Sequence, residues 1–549
     1  MDFDSVRGKK CLVLDPNISG PLSLIAGFSL LKEHGVEKVH YLQQGPLETE
    51  LKSLIYICRP QLNYMKYIAE HIAHHQKDVI TIGEYHLDLI PFEDDLLSLE
   101  LDNTFKELYL DGDYTSIYYA ARALMKLQTK FGLIPRVIGK GDCAKHLADM
   151  LLRMRKEVAV DDPSSTLSLT YEGLIDEVFG IRASHVEVDS AIVGPASQKS
   201  APAAATSTSN AASTTSQPST PAKKKKFHSI LVIDYLFMRD MNFAVVGGVL
   251  NRVARRINEN YEERHQAKTV MQIREFINKL GGLQSEHQSL RTHTGIAEEI
   301  MAYTVTPEFN KALEVQQNLV AGIEINLQNE HIEEMINRQV PILQVLRLLC
   351  LLSLRECGLK QKSLEFFKKE IYRLMDLKHL QTLLNLERLN MFVKQGSASS
   401  KFNYVRKHLQ LIVDEVDEQS PQDISYVYSG YAPLSVRLIQ CVTKGGLTPI
   451  SNPWVLMQQL IHWNWCSELD DGAIHSKKFA QGQQPRVTLI FFLGGCTYTE
   501  ISAIRFMAQQ DEGQREYVML RLRIVNGNSL LSSVMQKMDN LGHSAGGNF

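Results

Sequence analysis

Long apolar runs are missing from this 549-residue chain, and no stretch approaches the roughly 18 residues that a membrane span requires. Residues 1–15, MDFDSVRGKKCLVLD, lack the apolar core of a secretory leader, so none is expected. Cysteine is sparse and poorly spaced for ligation. The eight residues (Cys11, Cys58, Cys143, Cys350, Cys357, Cys441, Cys466, Cys496) contain no CxxC pair, which excludes the usual zinc spacings and a disulfide scaffold. Reduced thiols in the cytosol are the expectation. A dominant charge sign is also lacking. Lys and Arg number 59 against 62 Asp and Glu, a net −3, so no overall field draws the chain onto nucleic acid or an anionic membrane. No GxSxG elbow supplies a serine nucleophile.

What remains is ordinary globular material, 44% hydrophobic and 22% charged, long enough for two to four domains. The N-terminal part alternates between two periods. CLVLD (11–15), VEKVHYLQ (36–43), SLIYICR (53–59) and DVITIG (78–83) read as strands. PLSLIAGFSLLKEHG (21–35), closed by Gly35, and PQLNYMKYIAEHIAHH (60–75), opened by Pro60, read as helices. Strands alternating with helices predict a parallel α/β sheet covered on both faces.

Residues 193–226 change character. Ala, Ser, Thr and Pro without aromatics bury too little surface to offset ordering entropy, so a disordered linker is expected, ending in the run Lys223–Lys226. From about 240 to 395 the pattern is helical. Residues 251–282 and 289–305 read as two helices separated by Gly281 and Gly282; 339–358 reads as an apolar helix ending on Gly358, and 363–389 continues the period. Strand-like runs return at DISYVYSGYAPLSVRLIQ (423–440) and RVTLIFFLGG (486–495).

Three features invite a chemical reading. RVTLIFFLGGCTYTE turns from strand to helix on Gly494 and Gly495, as phosphate-binding corners do. It has neither the lysine of a phosphate loop nor the GxGxxG spacing of a dinucleotide fold. Thr497-x-x-Glu500 instead forms a capping box, so a structural corner is expected. Asp15 ends the first strand, where hydrolases keep a working carboxylate, but DPN is also a turn sequence. His71 and His75 share a helix face as a metal pair would, with His74 beside them and no third ligand evident. No metal site, cofactor or catalytic set is expected.

Four segments together, LSLTYEGLIDEVFGI (167–181), SLRTHTGIAEEIM (289–301), 423–440 and RVTLIFFLGGCTYTEISAIRFMAQ (486–509), resemble the Sec/Munc-type family. Within it they resemble the class C vacuolar protein-sorting branch that serves the HOPS and CORVET tethering complexes. The resemblance implies an arch of parallel α/β sheets with a large all-α insertion carrying a helical hairpin. It places an N-terminal α/β domain at 1–145, a second α/β domain in two pieces at 146–192 and 405–549, and the helical domain at 227–404. It implies a non-enzymatic protein that binds syntaxin-type and R-type SNARE proteins and promotes their assembly, docking vesicles at late endosomes and lysosomes. SNARE segments are disordered alone, and a template holding two of them aligned lowers the ordering cost of nucleation. The hairpin stretch 264–300 would carry those contacts, with Arg264, His265, Lys268, Lys279, His287 and Arg291 as candidates. Leu377, Leu380 and Leu384 form an i, i+3, i+7 stripe that suits either a domain core or a helical-solenoid tether subunit. No nucleic-acid partner is implied.

One departure stands out. The family's apolar strand and acidic motif ahead of LTYEGLIDE are absent, replaced by RKEVAVDDPSSTLS (155–168), with SILVID (229–234) as the nearest substitute. Two other readings stay open: a nucleotide-dependent α/β enzyme with unrecognisable motifs, and a tether scaffold without SNARE activity.

Overall fold

The computed structural model describes residues 6–161, 185–189, 225–229, 238–444, 466–470 and 486–535, apart from short breaks within those ranges. It divides into two compact units. One comprises Met1–Ala183, Met335–Val405 and Leu438–Phe549, the other Ser184–Glu334 and Arg406–Arg437. The motif at 167–181, most of 193–226 and the SILVID residues after Ser229 lie outside the described residues.

The chain opens with β1 (Lys10–Leu14), α1 (Phe28–Glu33), β2 (Val36–Tyr41), β3 (Ser53–Cys58), α2 (Leu62–His74) and β4 (Val79–Glu84). The strands form a four-stranded parallel sheet of order β2-β1-β3-β4. β1 and β3 are buried along their full length because both sheet faces are covered. Cys11, Val13, Leu54 and Tyr56 pack on one face with Ile68 of α2. Leu12, Leu14, Ile55 and Ile57 pack on the other with Leu31 of α1. This alternation is the two-residue period of a strand read in three dimensions.

A second sheet uses residues far apart in sequence. β5 (Ile90–Glu93) and β6 (Leu96–Ser98) form its antiparallel edge. β7 (Arg136–Lys140) pairs elsewhere, with β10 (Cys466–Asp470). Helices α3 (Thr115–Phe131) and α4 (Asp142–Asp161) pack together, and Ile117, Leu124, Leu147 and Leu151 share one core with Leu97, Val518 and Leu520. In the other unit β8 (His185–Asp189) pairs antiparallel with β9 (Lys225–Ser229), which takes in the last two residues of the expected linker.

The helical stretch contains α5 (Phe243–Gln266), α6 (Val270–Thr304), α7 (Pro307–Ala321) and α8 (Ile325–Asn337). Here one expectation fails: α6 runs straight through Gly281 and Gly282. Both glycines are exposed and touch nothing. Leu283, Ser289 and Thr292 beyond them are buried on more than one side of the helix, and that burial outweighs the glycine penalty of about 1 kcal/mol per residue. The break falls instead between Gln266 and Val270.

Next come α9 (Ile342–Arg355), α10 (Gln361–Leu374) and α11 (Leu380–Arg388). Gly358 closes the α9 turn at φ +102, and a Cβ there would stand 2.6 Å from the Lys394 carbonyl oxygen. Residues 423–440, expected as strands, are a 3-10 turn (Ile424–Tyr428) followed by α12 (Leu434–Lys444). The Asp423 carboxylate accepts from Ser425 N at 2.9 Å, and Ser429 and Gly430 adopt positive φ, so the run ISYVY coils instead of pairing. The chain ends with β11 (Arg486–Phe492), α13 (Tyr498–Gln510), β12 (Arg515–Arg521) and α14 (Gly527–Val534). β11, β12 and β6 run parallel and complete the second sheet in the order β11-β12-β6-β5. A sheet edge drawn from residues 90–98 thus joins strands near the C-terminus.

Candidate functional site

The Gly494–Gly495 corner is filled by protein. Both glycines sit at positive φ, +96 and +110. A Cβ on Gly494 would meet the Tyr109 ring at 2.8 Å, and one on Gly495 would meet Val525 at 2.6 Å. Tyr109 also donates its hydroxyl to the Leu493 carbonyl at 3.3 Å. The capping box forms as expected: Thr497 Oγ1 accepts from Glu500 N at 3.2 Å, and the Glu500 carboxylate accepts from Thr497 N at 2.8 Å. Glycine is needed here for close packing against Tyr109 and Val525.

Asp15 is fully buried at the C-terminal end of β1. Arg59, at the end of neighbouring β3, donates Nε to Asp15 Oδ2 at 2.7 Å, and Tyr64 donates its hydroxyl to Oδ1 at 2.9 Å. Such a pair ties two strands to α2. His71 is likewise turned into the fold, 1% exposed, with Nε2 3.0 Å from the Gln43 carbonyl and Nδ1 3.4 Å from the Tyr56 hydroxyl. A carbonyl only accepts, so Nε2 carries the proton and Nδ1 accepts from Tyr56. Burial, with Cys11 adding to it, pushes the Tyr56 phenol up to about 12. His71 is therefore a core ligand of Tyr56; His75 lies outside the described residues.

The helical hairpin is α5 folded back on α6. Met238, Val249, Leu250, Val253 and Ile257 pack with Leu290 and Ala297, and Arg256 bridges to Glu286 at 3.3 Å. His287 and Arg291, one turn apart on α6, are exposed on the opposite side from buried Ser289 and Thr292. Of the other candidates, Lys268 lies outside the described residues. Arg264 and His265 belong to α5 and Lys279 to α6, with side chains outside the description as well.

In the other unit, α11 buries Leu383 and Leu386 and turns Leu380 and Leu384 outward, 47% and 42% exposed. These two leucines are not core, which removes the ordinary explanation for two of the three stripe residues; Leu377 lies outside the described residues. Lys368 of α10 and Glu387 of α11 tie the two helices together. Asn385 donates to the Val534 carbonyl at 3.0 Å and anchors α11 on α14.

Sequence reasoning missed two buried arginines. Arg505 of α13 donates to both oxygens of Asp95 at 2.7 Å and also pairs with Glu93, joining α13 to the β5–β6 hairpin. Arg437 of α12, 1% exposed, makes a two-pronged pair with Asp423 at 2.7 Å per contact and donates to the Gln410 carbonyl at 3.2 Å. Neither has a sequence signal, because the acids each pairs with lie outside its helix.

Among the described residues no helix is long and apolar enough to cross a membrane. The Sec1 family model matches residues 10–533. The vacuolar protein sorting-associated protein 33A of Rattus norvegicus is 38% identical over 97% of this chain and 95% of its own. The vacuolar protein-sorting-associated protein 33 homolog of Arabidopsis thaliana is 33% identical over the same shares. Among solved structures, the SM protein Vps45 in complex with the Qa SNARE Tlg2 matches with a TM-score of 0.53 at 14% identity, covering 96% of this chain and 94% of that one. The Unc18–syntaxin 1 complex from Monosiga brevicollis matches with a TM-score of 0.53 at 15% identity over 97% of each chain. With a family match across nearly its whole length and relatives above 30% identity, this chain belongs to the Sec1 family of SM proteins.

Proposed function

We propose that this chain regulates SNARE assembly as the SM subunit of a class C tethering complex, HOPS or CORVET. It would work peripherally on late endosomes and lysosomes or vacuoles and catalyse no reaction. The reading rests on one observation, the 38% identity to a vacuolar protein sorting-associated protein across 97% of the chain. The structures of related folds that hold a Qa SNARE or syntaxin 1 fit the same reading. Physically, the task requires surfaces that receive helices. Leu380 and Leu384 offer a tether solenoid two apolar anchors on a rigid helix, the kind of buried contact that dominates interface energy. His287 and Arg291 offer a SNARE helix polar contacts at the edge of the hairpin, each worth less and sensitive to salt.

The test is capture from cell lysate with the tagged full chain, beside Leu380→Asp/Leu384→Asp and His287→Glu/Arg291→Glu. The unaltered chain is expected to recover class C subunits together with endosomal SNAREs. The leucine variant should lose the subunits, and the hairpin variant should recover less SNARE. Subunits without SNAREs would make the chain a scaffold; neither, from folded protein, would end the reading.

A further inference from the structure

The last turns of α6 and the first turns of α7 carry an apolar face that the hairpin does not use. Ile300, Met301, Tyr303, Val305 and Leu313 are 41%, 53%, 64%, 68% and 41% exposed. The Tyr303 and Phe309 rings meet edge to face with centroids 5.1 Å apart, so the strip continues across the turn between the helices. That turn is held at both ends. Val305 N donates to the Met301 carbonyl at 3.0 Å, and the Thr306 hydroxyl caps α7 by accepting from Phe309 N at 3.4 Å. Single exposed apolar side chains are ordinary, whereas a run of them on fixed helix ends marks an interaction surface.

The charge along the strip is predominantly acidic. Glu298, Glu299, Glu308 and Glu314 are all exposed. Between residues 298 and 334 the chain has eight glutamates and a single Lys or Arg, Lys311, which pairs with Glu314 at 3.1 Å. The asymmetry is local, since the whole chain is nearly neutral at −3. A second copy would bring the same acidic rim, and an anionic membrane or a nucleic acid would meet the same repulsion.

We infer that this strip docks a basic amphipathic helix of a partner protein. The partner's apolar side covers Tyr303 and its neighbours, and lysines or arginines on its flanks meet Glu298, Glu299 and Glu308. This surface overlaps the last three residues of the stretch offered for SNARE contacts and continues beyond it, and it stands whether or not that assignment does.

The probe is a fluorescent amphipathic helix built of leucine and lysine, with a leucine and glutamate counterpart, titrated onto the full chain and followed by anisotropy. The lysine peptide is expected to bind at least about tenfold tighter than the glutamate peptide, with the preference shrinking as salt rises. Glu299→Lys/Glu308→Lys and Tyr303→Ser/Val305→Ser should each weaken it about tenfold while leaving the melting curve unchanged. Arg291→Glu, on the hairpin, should change it less than about twofold. Equal binding of both peptides, equal binding by the variants, or no binding overturns the inference. Self-association of the unaltered chain in sedimentation, abolished by Tyr303→Ser/Val305→Ser, also overturns it by giving the strip to a second copy.

Discussion

Replacing Gly495 by alanine asks directly what the glycine corner is for. At φ +110 an alanine sits in the left-handed region, which costs about 1–3 kcal/mol. Its Cβ would stand 2.6 Å from Val525 Cγ1 and 3.0 Å from the Arg523 carbonyl oxygen. Those neighbours have little room to retreat. Cys496 N donates to the Arg523 carbonyl at 3.1 Å, and Val525 N donates to the Cys496 carbonyl at 2.9 Å, so the two segments are laced together. Overpacking of this sort adds about 1–3 kcal/mol, for a total near 4 kcal/mol. At about 2–4 °C per kcal/mol, Gly495→Ala should lower the melting temperature by about 8–15 °C. Gly396→Ala is the control: its φ is +89 but nothing lies within 4 Å, so only the backbone penalty applies. Thermal melts and urea titrations of both variants decide the matter. A Gly495→Ala protein within about 1 kcal/mol of the parent, or no worse than Gly396→Ala, refutes the packing argument. ATP and GTP should leave the parent's melting temperature unmoved, and an increase that Gly495→Ala abolishes would restore a phosphate cradle.

Three further outcomes follow from the same structure. Gly281→Ala and Gly282→Ala should each stabilise α6 by about 0.5–1 kcal/mol and raise the helical circular dichroism signal, because a Cβ at either site meets nothing. Arg437→Met should cost about 3–5 kcal/mol by leaving Asp423 without its partner, measured by urea unfolding. Burial favours protonation of Asp423, but hydrogen bonds from Arg437 and from Ser425 N outweigh it and hold the carboxyl below the usual carboxylate range. Its folded pKa is thus below the unfolded value of about 3.9, so the pair's stability is full above that pH and is lost as pH falls through the folded pKa. Arg437→Met should flatten this acid-side loss in a pH series of melts. Leu380→Asp/Leu384→Asp should change stability by less than about 0.5 kcal/mol, since both side chains are largely exposed; a large loss would put them back in a core.

The first sheet was legible because its signal is local. CLVLD and SLIYIC bury every residue on two covered faces, so apolar runs of strand length leave little else to form. The corner at 486–500 was legible for the same reason, since the glycines and the capping box lie within a few residues of each other. Legibility failed where tertiary contacts overrode local preference. Gly281 and Gly282 read as a break, yet burial of Leu283, Ser289 and Thr292 just beyond them carries the helix through. ISYVY alternates like a strand, but the Asp423 side chain and the left-handed Ser429 coil it. Of the candidate contact residues, periodicity found the Leu380–Leu384 face without revealing which way it points. Only packing of Leu383 and Leu386 on the inner side decides that. The Tyr303 strip escaped notice because MAYTV reads as the tail of a helix, and exposure has no sequence period at a helix end.

Among the described residues, buried polar groups join elements of the fold and exposed apolar groups stand on packed helices. Several buried polar groups are engaged with one another: both oxygens of Asp15 by Arg59 and Tyr64, both ring nitrogens of His71 by Gln43 and Tyr56, and Arg505 by Asp95 and Glu93. Each joins elements distant in sequence, so their role is to fix the scaffold. Groups that association needs are placed the other way. Leu380, Leu384 and Tyr303 project from helices and Val305 from the turn after α6, which leaves apolar side chains in water. Here the surplus free energy lies in exposed apolar area on fixed helices, and another helix is what removes it most completely.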